Sequence, residues 1–401
     1  MAGRDNGAQI IIGLPSFMEA DTIGHVTRQV DLGLSRYFPG MRSVIVNADN
    51  NSEDDTRGAF LAADTAARKH YIATPEFVRG KGNNLRNLFR FALKHGSTHR
   101  AAAVFDTDLK SITPEWVKLM VEPILKGYDF CFPAYSRHQF DGTITNHICH
   151  PLLYGLLGTN IRQPIGGEYA FSPAMVRYFM ERKWPADAKL YGIDIFMTLC
   201  AVFSGMKMCE AGLGVKVHKA SAPKLGPMFT QVVHTLFDLL LEERDRWIPG
   251  GIDTMPVPRF GPENLEVPQE LAVDIAGMKE RLKREFFQHE KVIEKIIGGF
   301  LFDGIRGMAE RDNYCYDILM WTQTVYRFLF AYDRASPRSS AAIIEALKPL
   351  HLARSLTFNY ETHRLRIDQA EELVREQARA FAAQKPFLMG LYAEANSKKF
   401  N

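Results

Sequence analysis

The 401-residue sequence lacks the features that mark several large classes of protein. It contains no apolar run of about 18 residues, so no transmembrane helix is expected, and residues 1–9 are polar, without the apolar centre of a secretory signal. The net charge is only +3 at pH 7, and lysines and arginines form no run interleaved with aromatic residues. These absences predict a soluble protein of the cytoplasm that has no membrane or nucleic-acid partner.

Cysteine is also scarce. The five cysteines are scattered and show no Cys-x-x-Cys spacing: Cys131, Cys149, Cys200, Cys209 and Cys315. They are predicted to be buried thiols in a reducing cytoplasm. With 46% hydrophobic and 24% charged residues, the composition is that of an ordinary globular protein, and the length allows two domains.

The first half of the chain alternates strand and helix patterns. Apolar runs predict strands at 9–14, 43–48, 71–74, 101–105, 129–134 and 214–218, and most of the stretches between them have helical spacing, including an Ala-rich one that ends near residue 69. This alternation predicts an α/β fold with a parallel sheet and helices on both faces. In such a sheet, ligands collect where the strands end.

Beyond residue 225 the pattern changes to helical spacing with few strand signals. Helices are expected at 229–247, 264–297, 316–332, 339–347 and 368–383. We therefore predict an α/β catalytic domain over 1–225 and an all-helical domain over 226–401, with the Pro/Gly-rich stretch 248–262 as a linker. The aromatic residues of the helical part favour a homodimer.

The run at 101–105 leads directly into Asp106 and Asp108. Because side chains alternate along an extended chain, both carboxylates point to one side of the strand end. Carboxylate pairs of this kind hold Mg²⁺ or Mn²⁺, which takes phosphate oxygens as further ligands, so the motif predicts a nucleoside diphosphate as partner. Turns and helix caps also produce Asp-x-Asp, and that alternative stays open.

Other polar clusters follow other strands. The sequence Gly80-Lys81-Gly82 at a helix start suits a phosphate, or is a turn with a solvated lysine. Residues 49–56 either hydrogen-bond a base and ribose or form an acidic first helical turn. The paired glycines before Glu168 allow a ligand to approach the backbone, with the carboxylate accepting sugar hydroxyls, unless they form a structural turn.

Two further residues are ambiguous on the sequence alone. Asp194 precedes a helical stretch, where helix capping is the default role. His218 ends an apolar run, and it either completes a metal site with Asp108 or is a structural histidine.

Taken in this order, the motifs resemble a glycosyltransferase of the GT-A fold. The similarity is to the retaining glucosyl-3-phosphoglycerate, glucosylglycerate and mannosylglycerate synthases. It is carried by 15–19 (PSFME), 49–56 (DNNSEDDT), 80–82 (GKG), 106–108 (DTD), 163–170 (QPIGGEYA), 191–194 (YGID), 213–218 (LGVKVH) and 225–233 (LGPMFTQVV). It extends to the helical part at 303–307 (DGIRG) and 354–360 (RSLTFNY), and so covers most of the chain.

The resemblance implies roles for individual residues. Donor binding falls to Pro15, Phe17, Glu19, Asp49, Asn51, Ser52, Lys81, Asp106, Thr107, Gly166, Gly167 and Glu168. Acceptor binding falls to Arg137, Gly142, Thr143, Thr145, Tyr191 and Asp194. Asp108 and His218, with Asp106 beside them, would hold a divalent Mg²⁺ or Mn²⁺, and Asp194 and Lys81 would be catalytic.

Two departures from the family bear on the acceptor. Members that take 3-phosphoglycerate carry Gly-Arg-Val-Thr where this chain has Gly-Thr-Ile-Thr at 142–145, and they carry Asn where it has Ala220. The missing Arg and Asn would both address the acceptor phosphate, which favours D-glycerate, although Arg137 or His138 offers another cation.

The expected reaction is metal-dependent transfer of a hexose, with glucose favoured, to the 2-hydroxyl of D-glycerate. The donor is a nucleoside diphosphate sugar, UDP-glucose or GDP-mannose, and the anomeric configuration is retained by front-face attack. The alternatives are a mannosylglycerate synthase using GDP-mannose and a glucosyl-3-phosphoglycerate synthase. From other classes, a non-catalytic nucleotide-sugar-binding protein and a nucleotidyltransferase remain.

Overall fold

The computed structural model of the protein describes residues 7–75, 78–95, 98–219, 225–248, 257–263, 266–268, 270–311 and 314–397. These residues form two compact units. The first draws on 1–137, 163–235 and 257–268, and the second on 138–162, 236–256 and 269–401. Segment 138–162, which the sequence assigned to the catalytic domain, thus groups with the helical half. The division at residue 225 stays a prediction, and most of the predicted linker lies outside the described residues.

The first unit is built on a sheet that has eight strands in the described part of the chain, in the order β3-β2-β1-β4-β6-β5-β7-β8. Their bounds are β1 Ile10–Ser16, β2 Ser43–Asp49, β3 Arg68–Ala73, β4 Ala101–Val104, β5 Phe130–Ser136, β6 Tyr169–Phe171, β7 Met208–Val215 and β8 Arg259–Phe260. All neighbouring pairs are parallel except those of β6, which runs antiparallel to both β4 and β5. The sequence prediction of a parallel sheet is therefore correct apart from this one strand.

Helices cover the sheet of the first unit. They are α1 Ile23–Tyr37, α2 Thr56–Ala62, α3 Lys81–His95, α4 Pro114–Leu125, α6 Pro173–Glu181 and α7 Ile193–Ser204, with α8 Leu225–Glu242 starting in this unit. Every residue of β1 is buried, as expected for a strand with helices on both faces. The Ala-rich helix is shorter than predicted, because α2 ends at Ala62 and Arg68 already belongs to β3.

Small residues let these helices come close. A Cβ on Gly33 of α1 would lie 2.7 Å from Val117 Cβ of α4, and one on Gly13 of β1 would lie 2.7 Å from Leu88 Cδ1 of α3. Ser172 caps α6 by accepting a hydrogen bond from the Met175 amide at 3.2 Å.

The second unit is helical. It contains the π-helix Thr145–Cys149, α5 His150–Leu157, α9 Ile275–Ile297, α10 Gly299–Arg311, α11 Ile318–Asp333, α12 Pro337–Thr362, α13 Ile367–Ala383 and α14 Lys385–Ser397. The predicted helix 339–347 is much longer in the structure and continues through Pro349, while α10 and α14 lie outside the predicted set. Of the helices in the described ranges, none combines the length and apolarity that a bilayer crossing requires.

The core of the second unit contains a buried arginine. Arg354 Nε donates to Gln377 Oε1 at 2.9 Å, and Gln377 Nε2 donates to the Asn146 carbonyl at 2.8 Å. Trp321 Nε1 donates to the His147 carbonyl at 2.7 Å. This network joins α11, α12, α13 and the π-helix.

All five cysteines are free thiols. Four of them are buried as predicted, whereas Cys315 is exposed. Cys131 and Cys209 lie opposite each other on β5 and β7, which the sequence pattern did not indicate.

Candidate active site

The predicted site residues of the first unit gather where the parallel strands end. Asp49 is the last residue of β2, Asp106 follows β4, and Glu168 immediately precedes the reversed β6. Lys81 opens α3, and Asp194 lies in the first turn of α7. Because β6 runs against its neighbours, its first residue lies at the same edge as the last residues of β4 and β5.

Lysines and carboxylates alternate at this edge. Lys81 Nζ lies 2.8 Å from Asp106 Oδ1 and 3.2 Å from Asp194 Oδ1. Lys216 Nζ lies 3.3 Å from Asp106 Oδ2 and 2.9 Å from Glu168 Oε2. The Tyr135 hydroxyl donates to the same oxygen of Glu168. We call these five charged residues, Asp194, Lys81, Asp106, Lys216 and Glu168, the charge chain.

Burial and neighbouring charges compete in the charge chain. Burial alone would raise the pKa of Asp106, but Lys81 and Lys216 outweigh it and hold that pKa far below its usual value. For Glu168, burial prevails over Lys216 and raises the pKa to about 7. Burial also raises the pKa of Asp194 against the opposing effect of Lys81.

Both lysines stay charged. Burial would lower the pKa of Lys81, yet Asp106 and Asp194 raise it well above its usual value. Burial opposes charge on Lys216 too, and the carboxylates of Glu168 and Asp106 more than compensate, so its pKa is raised. The site therefore presents fixed ammonium groups in a largely buried region, where electrostatic interactions are stronger than in bulk water.

Gly167 is required by its backbone and by its neighbours. Its φ is +98°, a conformation that other residues rarely adopt. A Cβ there would lie 2.7 Å from Lys216 Nζ and still closer to Asp106 Oδ2. A Cβ on the preceding Gly166 would collide with the Pro133 ring. These glycines let the chain pass directly beside the charge chain.

The glycines around Lys81 have a different role from the phosphate cradle predicted for them. The Gly82 amide donates to the Leu190 carbonyl at 3.1 Å, and a Cβ on Gly82 would overlap the Ala188 carbonyl. Gly80 has φ +125°, and a Cβ there would overlap the Lys189 carbonyl. The glycines therefore allow α3 to pack against 188–190, and the side chain of Lys81 alone projects into the site.

Asp49 accepts hydrogen bonds from several neighbouring residues. Its Oδ1 accepts from the hydroxyls of Ser16 at 2.7 Å and Ser52 at 2.6 Å, and its Oδ2 accepts from the Ser52 amide at 2.7 Å and the Tyr71 hydroxyl at 3.1 Å. These four bonds use its acceptor capacity. The backbone of Asn51 lies in the left-handed region, with φ +54°, and its side-chain amide donates to the Thr74 carbonyl.

The loop after β1 carries the other predicted nucleotide-binding residues. The Pro15 carbonyl accepts from the Thr107 hydroxyl at 2.9 Å, which ties this loop to the segment after β4. The Arg79 guanidinium lies 4.6 Å from the centre of the half-exposed Phe17 ring. Glu19 is buried beside Lys219, with Nζ 2.7 Å from Oε2, and burial raises its pKa despite that partner.

Asp108 and His218 lie on two segments that are joined by hydrogen bonds. The Lys110 amide donates to the Val217 carbonyl at 2.8 Å, and the Val217 amide donates to the Ser111 hydroxyl at 2.9 Å. His218 Nδ1 lies 2.6 Å from the Lys219 carbonyl, which can only accept, so Nδ1 carries a hydrogen and Nε2 is the ring nitrogen left for another partner. Across the described ranges, no three His, Cys, Asp or Glu side chains are grouped to hold a metal ion.

The predicted acceptor residues are divided between the units. Arg137, whose guanidinium lies 5.7 Å from the centre of the Tyr135 ring, and Tyr191, whose amide donates to Gln231 Oε1 at 3.0 Å, belong to the first unit. The second unit contains Gly142 with φ +65°, Thr143, whose backbone hydrogen-bonds His351, and Thr145, which opens the π-helix.

Sequence reasoning missed two members of the site, Lys216 and Tyr135. A signal existed for the first, because Lys216 lies two residues before His218 in an extended segment, and such residues share a side. Tyr135 looks like an ordinary aromatic residue of a strand in the sequence, so no signal pointed to it. Its register with β7 shifts by one residue after Ala134, a bulge that redirects the side chain.

Comparison with known proteins assigns the class. Residues 54–232 match the family described as mannosylglycerate synthase, GT domain, a range that includes every member of the charge chain. Together with the α/β sheet and the helical C-terminal part, this identifies the protein as a glycosyltransferase, more narrowly a hexosyltransferase. This match confirms the resemblance inferred from the motifs.

Solved structures are also similar to this chain. One is glucosyl-3-phosphoglycerate synthase from Mycobacterium tuberculosis in complex with Mg²⁺ and UDP. The two sequences are 26% identical, the match covers 58% of this chain and 79% of that chain, and the TM-score is 0.47. The same enzyme with Mn²⁺, UDP and glucosyl-3-phosphoglycerate gives 27% identity, 58% and 80% coverage and 0.47. A mycobacterial protein gives 29% identity, 58% and 75% coverage and 0.47. A comparison with curated proteins gives no match.

Proposed function

We propose that the protein transfers a hexose, with glucose favoured, from a nucleoside diphosphate sugar to the 2-hydroxyl of D-glycerate with retention of anomeric configuration. The observation that carries the proposal is the charge chain, which lies within the residues that match the glycosyltransferase family. Such an array offers carboxylates to sugar hydroxyls and a fixed ammonium to a diphosphate. In a site with little water, these preorganised charges stabilise a transition state strongly.

The nucleoside would bind beside the charge chain. Phe17 and Glu19 after β1, and Asn51 and Ser52 after β2, surround the place where the base and ribose would lie at the strand ends. Asp49 supports this place indirectly, because its oxygens already hold Ser52 and the strand β1.

The proposed site of a divalent cation lies after β4 and β7, at Asp108 and His218. Asp108 supplies a hard carboxylate oxygen, and His218 supplies Nε2, since its Nδ1 proton is given to the Lys219 carbonyl. We propose these two residues as ligands of Mg²⁺ or Mn²⁺. We do not propose Asp106 as a metal ligand, because Lys81 and Lys216 engage both of its carboxylate oxygens. When bound, the metal would neutralise charge on the leaving diphosphate.

Lys81 is the protein cation placed to assist the leaving group. Its ammonium is paired with Asp106 and Asp194, and its side chain is 18% exposed, so it can also meet a phosphate oxygen. Asp194 would orient the hydroxyls of the sugar and acceptor. Glu168 is fully buried, and Tyr135 and Lys216 occupy its oxygens, so it is not placed to attack an anomeric carbon.

We propose front-face attack, because the engaged Glu168 carboxylate is not available as a nucleophile. A double displacement would require a free carboxylate about 3 Å from the anomeric carbon on the face opposite the leaving group. In a front-face transfer, the glycerate hydroxyl gives its proton to the departing phosphate oxygen and bonds to the anomeric carbon from the same side. That route requires no nucleophile from the protein.

The acceptor preference rests on the residues at 143 and 220. In the sequence, Thr143 and Ala220 occupy the positions at which the resemblance implies an arginine and an asparagine for a phosphorylated acceptor, and Ala220 lies outside the described residues. A phosphorylated acceptor would forgo charge-assisted hydrogen bonds of about 1.5–3 kcal/mol each. We therefore propose unphosphorylated glycerate.

A second candidate is transfer of mannose from GDP-mannose, which the description of the matched family favours. Purified protein assayed with UDP-glucose and GDP-mannose, each with glycerate and 3-phosphoglycerate, separates the candidates. We expect the greatest kcat/KM with UDP-glucose and glycerate, and an α-linked product by NMR. A preference for 3-phosphoglycerate would overturn the acceptor assignment. Absence of transfer with all four combinations would overturn the proposed function.

The metal assignment has its own test. His218→Ala should remove the stimulation by Mn²⁺ and weaken Mn²⁺ binding in the presence of UDP. His363→Ala is the matched control, because that ring also bonds a backbone carbonyl, Tyr360, but lies exposed in the second unit. Equal Mn²⁺ dependence in the two variants would contradict the ligand role. The homodimer and the cytoplasmic location belong to the same proposal, and sedimentation and cell fractionation test them.

A further inference from the structure

Lys216 lies at the centre of the charge chain but has no role in the transfer described above. Its side chain is 9% exposed, and Nζ contacts the Gly166 carbonyl at 2.8 Å, Glu168 at 2.9 and 3.1 Å and Asp106 Oδ2 at 3.3 Å. An ammonium group has three hydrogens, and these three residues account for all of them. Lys216 is therefore committed to the protein and has no donor left for a substrate.

Lys81 differs in this respect. It shares the Asp106 carboxylate with Lys216, one lysine on each oxygen, but its side chain is twice as exposed, at 18%. The carboxylate of Asp106 is therefore fixed from both sides. The outer lysine can meet a ligand, whereas the inner one cannot.

Glu168 is as fully engaged as Lys216. Its Oε1 faces the Asp106 amide at 3.4 Å and Lys216 at 3.1 Å, and its Oε2 accepts from the Tyr135 hydroxyl and from Lys216. It has no exposed surface. The ion pair of Lys216 and Glu168 thus lies against Asp106 and supports its carboxylate. The absence of a side chain at Gly167 leaves room for this pair.

The bulge in β7 explains how a lysine reaches this place. Ala134 of β5 pairs with Gly212, and Tyr135 pairs with Gly214, so β7 contains one extra residue. An insertion of one residue reverses which side of the strand later residues face. Tyr135 and Lys216, which follow the bulge on either strand, both reach Glu168.

We propose that Lys216 is a positioning residue for sugar transfer: paired with Glu168, it fixes the Asp106 carboxylate where that group holds Lys81 beside Asp194. This inference rests on the proposed function. Without Lys216, Asp106 keeps only one of its two lysine partners, and Glu168 faces it without an intervening cation. Asp106 then moves, and Lys81 loses its place relative to the leaving group.

The test is a double-mutant cycle with Lys216→Met, Glu168→Gln and the double variant. For each protein, kcat and KM are measured with UDP-glucose and glycerate, and UDP binding is measured by calorimetry. Lys216→Met should lower kcat about 100-fold, the usual consequence of misplacing a catalytic group by about 1 Å, while UDP affinity is unchanged. The double variant should match Lys216→Met within about twofold, because the second change removes a partner already lost.

A matched control comes from the second unit. Lys348 and Glu345 form a more exposed ion pair of the same two residue types, with Nζ 2.6 Å from Oε2, and the same substitutions there should leave kcat unchanged. Losses at 216 and 168 that multiply would show independent roles and overturn the proposal, as would a weakened UDP affinity that accounts for the whole loss. If the wild-type protein transfers no sugar, the proposed function fails. The coupling energy between the two substitutions, measured from the free energies of unfolding in urea, then still tests whether Lys216 and Glu168 act as a pair.

Discussion

Replacing Gly167 with alanine tests whether the charge chain requires close contact with the backbone. The new methyl group would lie 2.7 Å from Lys216 Nζ and closer still to Asp106 Oδ2, inside the 3.0 Å that Cβ contacts respect. The buried lysine and carboxylate must separate by several tenths of an ångström to admit it. Alanine must also adopt φ +98°.

The expected cost combines two contributions. A non-glycine residue at positive φ costs about 1–2 kcal/mol, and weakening one hydrogen bond between charged groups costs about 1.5–3 kcal/mol. We therefore expect Gly167→Ala to lower the free energy of unfolding by about 2.5–5 kcal/mol, and to lower kcat about 100-fold through the displaced Asp106.

Gly127 provides the matched control. It also has φ +98°, but a Cβ there would meet nothing within 4 Å. Gly127→Ala should therefore lose only the backbone contribution of about 1–2 kcal/mol and keep full activity. Urea unfolding followed by tryptophan fluorescence, and UDP release in the transferase reaction, measure both effects. Equal loss of stability in the two variants, with Gly167→Ala still active, would refute the reasoning.

Three further predictions follow from individual contacts. Asp194→Asn removes a charge 3.2 Å from Lys81 and should lower kcat about 100-fold with little change in UDP affinity by calorimetry. Burial lowers the pKa of His150 from 6.5 to about 3, so the unfolded chain binds a proton that the folded chain refuses; between pH 7 and 5 the wild type should lose about 2 kcal/mol more stability than His150→Asn in urea titrations. Ser172→Ala removes the cap of α6 and should cost about 1 kcal/mol, whereas Ser172→Asp should retain most of the stability.

The grouping of the site was predictable from the sequence where it follows from strand ends. Apolar runs end at Asp49 and just before Asp106, and parallel strands bring such ends to one edge whatever lies between them. Lys81 and Asp194 open helices, which start from the same edge in an α/β sheet. Local pattern therefore sufficed for these residues.

The remaining members depend on pairings between distant segments. The reversal of β6 follows from its insertion between β4 and β5, and three residues carry no signal of direction. Lys216 gains its partners only through the bulge opposite Tyr135, whose cause is one extra residue in a glycine-rich strand. The predicted helix 339–347 stops before Pro349, yet α12 passes through this residue, because the buried side chains of α12 are stabilised by tertiary packing.

Lys81 occupies the first turn of α3, where the helix dipole makes the helix end partly positive. A cation is unwelcome there, and only the neighbouring aspartates make it tolerable. The same aspartates hold the pKa of Lys81 well above its usual value, so the fold favours the charged lysine, and a neutral residue there would leave the buried carboxylates with one cation fewer. Thermostable variants obtained without a screen for turnover should therefore keep this lysine.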